Sequence, residues 1–373
     1  MNKTKFELTW NEKVNQTKQD LHAAMQAGPR ILLETVTNHE DKNYFFDMIA
    51  IVREKLAHRQ AGSFIGTYFT KARLEDIKKK IALSDTKDLE WASWQPFFLF
   101  LKDASEVEID ALDSDLRIVL DKAPASEDQL CQFLKDETEN DNPWRGGLFE
   151  VFAKAALLKS SAFTVEAFDW NLPNSRNIDA TVRIGQCVVG VEITSRGDSA
   201  AAKGRWEKHC ADVLTKDSDQ AFCESQDAYA PGRWLYGTVF NKIAPGFDST
   251  KSQLLPEAPN LLLIRLSSVI SDLRPESPSI GWALDELFAG RSSTDTSPIS
   301  LREYLTRNLS GQEGIVNELL AAPSQVSGIF LFDHRCRLKV IRINSNAREK
   351  CRLSHEELAI FEKALVCSPD YCG

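Results

Sequence analysis

The sequence predicts an α/β chain in which a mainly helical N-terminal part precedes a strand-bearing core. Three observations carry that expectation. Asn177 to Thr194 reads as one β-hairpin, residues 148–158 place apolar side chains at helical spacing, and Asn260-Leu261-Leu262-Leu263-Ile264 is an apolar strand that follows a polar helical region.

Residues 1–135 form the helical part. Ile49, Ile51, Leu56, Leu74, Ile77, Ile81 and Leu83 are interleaved with Arg53, Lys55, Arg73, Glu75 and Lys78 at mixed helical spacing. Trp91, Trp94, Phe97, Phe98 and Phe100 make an aromatic-rich stretch, for which core packing is the first explanation and base stacking a distant second. The acidic run Lys135 to Asn142 ends at Pro143 and reads as a linker, so that the core domain covers residues 143–373.

The hairpin is the most informative segment. Gly185-Gln186 is a two-residue turn with glycine first, as a type II′ turn prefers. That turn sets Ile184 opposite Cys187, Val182 opposite Val189, Ala180 opposite Val191 and Ile178 opposite Ile193, an apolar face throughout. The other face pairs Arg183 with Val188, Thr181 with Gly190, Asn177 with Thr194, and Asp179 with Glu192. Like charges directly opposite one another, with Cβ atoms ~4.5–5.5 Å apart, are destabilising. A divalent cation held by oxygen ligands would relieve that repulsion; the plainer alternatives are that both acids are solvated on an exposed face or that the register differs. Just upstream, Leu148, Val151, Phe152, Ala155 and Leu158 keep the i, i+3, i+4, i+7 spacing, which places Glu150 in the first turn of a helix. Acids favour that position through the helix dipole alone.

The order of these elements adds to the reading. A helix bearing Glu150, a strand at Phe163 to Phe168, a strand bearing Asp179 and a strand ending in Glu192-Ile193-Thr194 together resemble the PD-(D/E)XK nuclease superfamily over roughly residues 143–265. Gly328 to Phe332 and Asn344 to Ala347 are similar to the late strand and tail of bacterial members. The resemblance implies a restriction-endonuclease-like fold, a mixed central sheet flanked by helices, behind the helical N-terminal domain. It implies a metal-dependent endonuclease acting on DNA, with RNA not distinguished. Asp179, Glu192 and the backbone carbonyl of Ile193 would ligate Mg²⁺ or Mn²⁺, with Glu150 holding a metal-bound water or a second ion. One departure stands out. Thr194 occupies the place of the superfamily's lysine, and a threonine carries no charge. Either Lys242 or Lys251, or less directly Arg196, supplies the cation, or the site is inactive and the fold serves as a protein- or nucleic-acid-binding module. A generic α/β protein with a coincidental acidic hairpin is the third reading.

Composition narrows the classes. No run of about 18 apolar residues is present, so no membrane span is expected. The N-terminus Met1 to Glu7 lacks a signal-peptide core, and a cytoplasmic protein is expected. Eight cysteines occur without a CxxC pair and six histidines without HExxH spacing, which argues for free thiols over disulfides or zinc. No P-loop or GxGxxG fingerprint occurs. The net charge of −9 argues against a broadly basic surface but not against a basic groove. Lys78-Lys79-Lys80 reads as a solvated helix face. Arg335, Arg337 and Lys339 would line one strand face toward phosphate, and Arg342, Arg348 and Lys350 form another basic group. Residues 197–233 read as polar with a helical centre at Trp206 to Leu214, ending in a turn at Ala230-Pro231-Gly232; residues 290–300 read as a loop. Ser354 with Glu357 marks a capping box at the start of a final helix. The N-terminal domain is expected to bind a protein partner or target, by analogy alone.

Overall fold

The computed structural model describes residues 42–59, 63–83, 101–102, 104–122, 144–197, 230–267, 274–289, 300–310, 312–333 and 336–366. Four helices come first: α1 (Lys42–Ala57), α2 (Phe64–Tyr68), α3 (Lys71–Leu83) and α4 (Glu106–Lys122). The core follows as α5 (Trp144–Lys159), β1 (Thr164–Asn171), β2 (Asn177–Ile184), β3 (Cys187–Gly197), α6 (Ala230–Ile243) and β4 (Asn260–Ser267). It is completed by α7 (Pro278–Ala289), α8 (Leu301–Leu309), α9 (Glu313–Ala321), β5 (Gly328–Phe332), β6 (Leu338–Ile343) and α10 (His355–Val366).

The strands form one open six-stranded sheet in the order β1-β2-β3-β4-β5-β6. β1, β2 and β3 are antiparallel neighbours, β3, β4 and β5 run parallel, and β6 is antiparallel to β5. The sheet is therefore mixed, with helices on both faces. On one face Ala180, Val182, Val189, Val191, Ile193, Leu261, Leu263, Phe330 and Phe332 share an apolar cluster with α5, α10 and the helices of residues 42–122. On the other, Leu262, Ile264, Leu266, Ile329 and Leu331 pack on α6, α7, α8 and α9. Burial on both faces is why β4 and β5 read as unbroken apolar runs.

The hairpin turn forms where expected. Gly185 has φ 56° whereas Gln186 has no positive φ, as a type II′ turn requires. Pairing follows the expected register from Ile184–Cys187 to Ala180–Val191. There it stops. β2 stays paired to β1 as far as Asn177, and β3 stays paired to β4 as far as Gly197. The expected pairs Asp179–Glu192, Ile178–Ile193 and Asn177–Thr194 are thus not rungs of the ladder.

Three further expectations change. Glu150 lies in the second turn of its helix, because α5 starts at Trp144 and takes Gly146 and Gly147 into its body. Ala230-Pro231-Gly232 is the first turn of α6 and not a turn that closes a loop; proline suits that position because its missing N–H has no helical partner there. The basic stripe does not form along one strand. Cys336 sits in left-handed backbone at φ 58°, β6 begins only at Leu338, and Lys339 lies 3.5 Å from Asp333 and 4.0 Å from Glu276. Arg342 and Lys350 are likewise matched by Asp285 and Glu257. The capping box is present: Ser354 N–H donates to Glu357 Oε2 at 2.7 Å, and Glu357 N–H to Ser354 Oγ at 3.2 Å. Arg335, the stretch Trp91 to Phe100, residues 135–143, Trp206 to Leu214 and residues 290–299 lie outside the described residues.

Asn260 locks the base of the parallel strands. Its buried amide accepts from Leu255 N–H at 2.9 Å and donates to the carbonyls of Leu255 and Ala258. Gly190 lies against it. A Cβ on Gly190 would fall 2.4 Å from Asn260 Oδ1 and 2.5 Å from Ile178 Cδ1. Gly190→Ala is expected to lower stability by ~1–3 kcal/mol in urea unfolding, the usual range for overpacking; an unchanged midpoint would show that Asn260 is not the lock described here.

Candidate active site

The site begins where the β2–β3 ladder ends. Ile193 N–H donates to Asp179 Oδ2 at 2.6 Å, and Asp179 N–H donates to Glu192 Oε1 at 3.3 Å. Side-chain oxygens thus take over backbone donors, which brings both carboxylates to one spot without direct opposition. Asp179 is partly exposed and Glu192 is fully buried.

Lys242 completes this half of the site. It lies in the last turn of α6, the crossover between the parallel strands β3 and β4. Its Nζ is 2.7 Å from Glu192 Oε2 and 3.9 Å from Asp179 Oδ2. Oε2 makes that ion pair and no directed hydrogen bond. The loop behind Lys242 is stitched in place: Gln253 N–H donates to the Lys242 carbonyl, and Asn174, between β1 and β2, donates to the carbonyls of Thr250 and Ser252. Burial, reinforced by the Asp179 charge and only partly offset by Lys242, pushes Glu192 from its ordinary 4.5 up to about 8. Burial pulls the other way on Lys242, but the charges of Asp179 and Glu192 outweigh it and hold the ammonium protonated.

A second lysine organises the other half. On α5, Glu150 and Lys154 are four residues apart, the spacing at which helical side chains meet. Lys154 Nζ lies 2.7 Å from Glu150 Oε1 and 3.3 Å from Asp169 Oδ2 of β1, and its side chain is only 3% exposed. Asp169 adopts left-handed backbone at φ 49°. Carboxylate oxygens of Glu150, Asp169 and Asp179 all lie within 4.8 Å of one another. Burial raises the Glu150 pKa, with Lys154 opposing and Asp179 adding to the rise. Three carboxylates so placed make an all-oxygen donor set, the kind that suits a hard divalent cation such as Mg²⁺ or Mn²⁺.

Of the residues singled out in the sequence, Glu150, Asp179, Glu192 and Lys242 come together. Ile193 contributes its amide N–H to Asp179. Thr194 is half-buried one alternation beyond Glu192 on β3. Lys251 does not join them; it is 53% exposed and pairs with Asp248 at 3.1 Å, because a short helical turn carries it away from the strand ends. Two members, Lys154 and Asp169, were not singled out. The Glu150–Lys154 spacing is a signal for the first, whereas nothing in the β1 sequence marks Asp169. In comparisons with known proteins, no family model, curated protein or solved structure matches the chain.

The raised Glu192 pKa makes stability depend on pH. Its contribution is full below about 4.5, where the carboxyl is protonated in folded and unfolded chains alike, and is lost as pH rises through about 8. Metal-free protein should therefore lose stability across that window relative to Glu192→Gln when unfolding is followed by circular dichroism. Parallel stability curves for the two proteins would show that Glu192 titrates normally.

Proposed function

We propose that the chain is a metal-dependent nuclease that hydrolyses DNA phosphodiester bonds on a core of restriction-endonuclease-like type. One observation carries the reading: the Lys242 ammonium lies 2.7 Å from Glu192 Oε2, beside Asp179, although the strand position that should bear the lysine is Thr194. The cation that this chemistry needs enters from α6. That contact supplies the charge that Thr194 lacks, and so supports the hydrolytic reading over an inactive binding module. The strand order, three antiparallel strands followed by parallel β4 after the α6 crossover, is consistent with the same reading.

Glu150, Asp169 and Asp179 would hold Mg²⁺ or Mn²⁺. The ion, when bound, supplies Lewis-acid stabilisation of phosphate charge and a lowered pKa for the attacking water. The chain's own groups do the rest. Lys242 places fixed positive charge where negative charge grows on the phosphate, in a setting of low water access. Glu192, its pKa raised to about 8 by burial, would be suited to exchange a proton as a general acid or base. Ile193 N–H and Lys154 orient Asp179 and Glu150. Among the described residues no helix is long and apolar enough to cross a membrane. We place the activity in the cytoplasm, with residues 1–135 as the element that engages a protein partner or target.

The test is cleavage of plasmid and linear DNA with Mg²⁺ or Mn²⁺. Wild type is expected to cut, while Asp179→Ala and Lys242→Met lose at least ~100-fold, the scale of removing one charge-stabilising group. Absence of cleavage together with absence of metal binding by calorimetry would return the chain to the binding-module class.

A further inference from the structure

Beyond the acids and Lys242, β3 continues through Thr194 to Arg196. Alternate strand residues share a face, so Glu192, Thr194 and Arg196 all turn toward the side that α6 covers. Arg196 is half-buried, its Nε is sealed from solvent, and that nitrogen has no hydrogen-bond partner. Unsatisfied buried donors are rare in folded proteins and call for a reason. Among the described residues no acid forms an ion pair with this guanidinium.

A second polar group, the Tyr304 phenol, lies within range of the Arg196 charge. Tyr304 of α8 packs its ring on Tyr236 of α6, centroids 5.2 Å apart, and on Phe247 at 6.4 Å. Its hydroxyl sits against α6, 3.4 Å from where a Cβ on Gly237 would be. Burial raises the Tyr304 pKa, and the nearby Arg196 charge opposes the rise. Glu286, the acid close to Tyr236, is engaged elsewhere: it accepts the Leu301 N–H. Among the described residues this guanidinium has no counter-ion, and with a phenol within range of its charge it offers donors to phosphate, which arginine suits better than lysine does.

We propose that Arg196 and the Tyr304 hydroxyl form a subsite for a backbone phosphate of the nucleic-acid strand, apart from the phosphate attacked at Lys242 and the acids. Arg196 lies four residues beyond Glu192 on β3, about 13 Å at ~3.3 Å per residue. That span corresponds to up to about four nucleotides at ~3.4 Å of axial rise each. The subsite rests on the nuclease reading for its ligand but not on hydrolysis, since it uses no metal and no reacting group.

Binding without cleavage separates the two. A fluorescein-labelled oligonucleotide is titrated by anisotropy with full-length protein in EDTA, across a salt series, for wild type, Arg196→Ala, Arg196→Lys, Tyr304→Phe and the exposed control Lys251→Ala. The expected result is at least ~10-fold weaker binding for Arg196→Ala, with the slope of log K against log salt reduced by about one phosphate contact. Arg196→Lys should recover part of the affinity and Lys251→Ala all of it. Tyr304→Phe, which keeps the ring packing, should lose about threefold and serves as the second variant if Arg196→Ala melts early. Equal affinity and equal salt slope in wild type and both subsite variants would overturn the proposal, as would failure of wild type to bind the oligonucleotide. Binding lost in Arg196→Ala by a protein that never cleaves DNA would support the subsite and reject the hydrolytic reading alone.

Discussion

A carboxyl group with no exposed surface needs a polar partner, and much of the site is arranged around that need at Glu192. The acid is drawn under α6 because β3 is a buried strand whose alternate residues must face the helix. Lys242 answers it from the end of that helix, where the chain turns back toward β4. Without the ammonium, ionisation of Glu192 would be disfavoured still more strongly than it already is. Without Glu192, Lys242 would lose its closest partner and its fixed position. The apolar side chains of α6 hold it against the sheet, and these two residues set the electrostatics of the site.

The ladder's early end is the second constraint. As long as β2 and β3 exchange backbone hydrogen bonds, opposed acids would repel one another. By accepting the Ile193 N–H, Asp179 turns the strand junction into a ligand-bearing corner, and β1 and α5 bring Asp169, Glu150 and Lys154 to it. The corner thus holds four carboxyl groups and two ammonium groups drawn from five elements.

Local chemistry made much of this legible in advance. Gly185 and the strict apolar alternation set the hairpin register, the β4 and β5 segments announced burial on both faces, and Ser354 with Glu357 announced α10. Glu150, Asp179 and Glu192 were visible because their order along the chain matters. What was not legible depends on tertiary placement. Lys242 and Lys251 looked equivalent in the sequence, and only the short turn after α6 separates a buried ion pair from an exposed one. Asp169 reaches the site through a left-handed backbone that no neighbouring glycine or turn motif foretells. Ala230-Pro231-Gly232 carries residues typical of turns, yet proline is equally at home in the first turn of a helix, and burial of the apolar α6 face decides between them.

Anomalous scattering from a crystal grown with Mn²⁺ tests the account most directly. A single site, or a first site if more than one fills, should lie among the carboxylates of Glu150, Asp169 and Asp179 while Lys242 Nζ keeps its contact with Glu192. A crystal with no peak at that corner, or with manganese only on unrelated surface acids, would contradict the assignment of this corner as a metal-dependent centre.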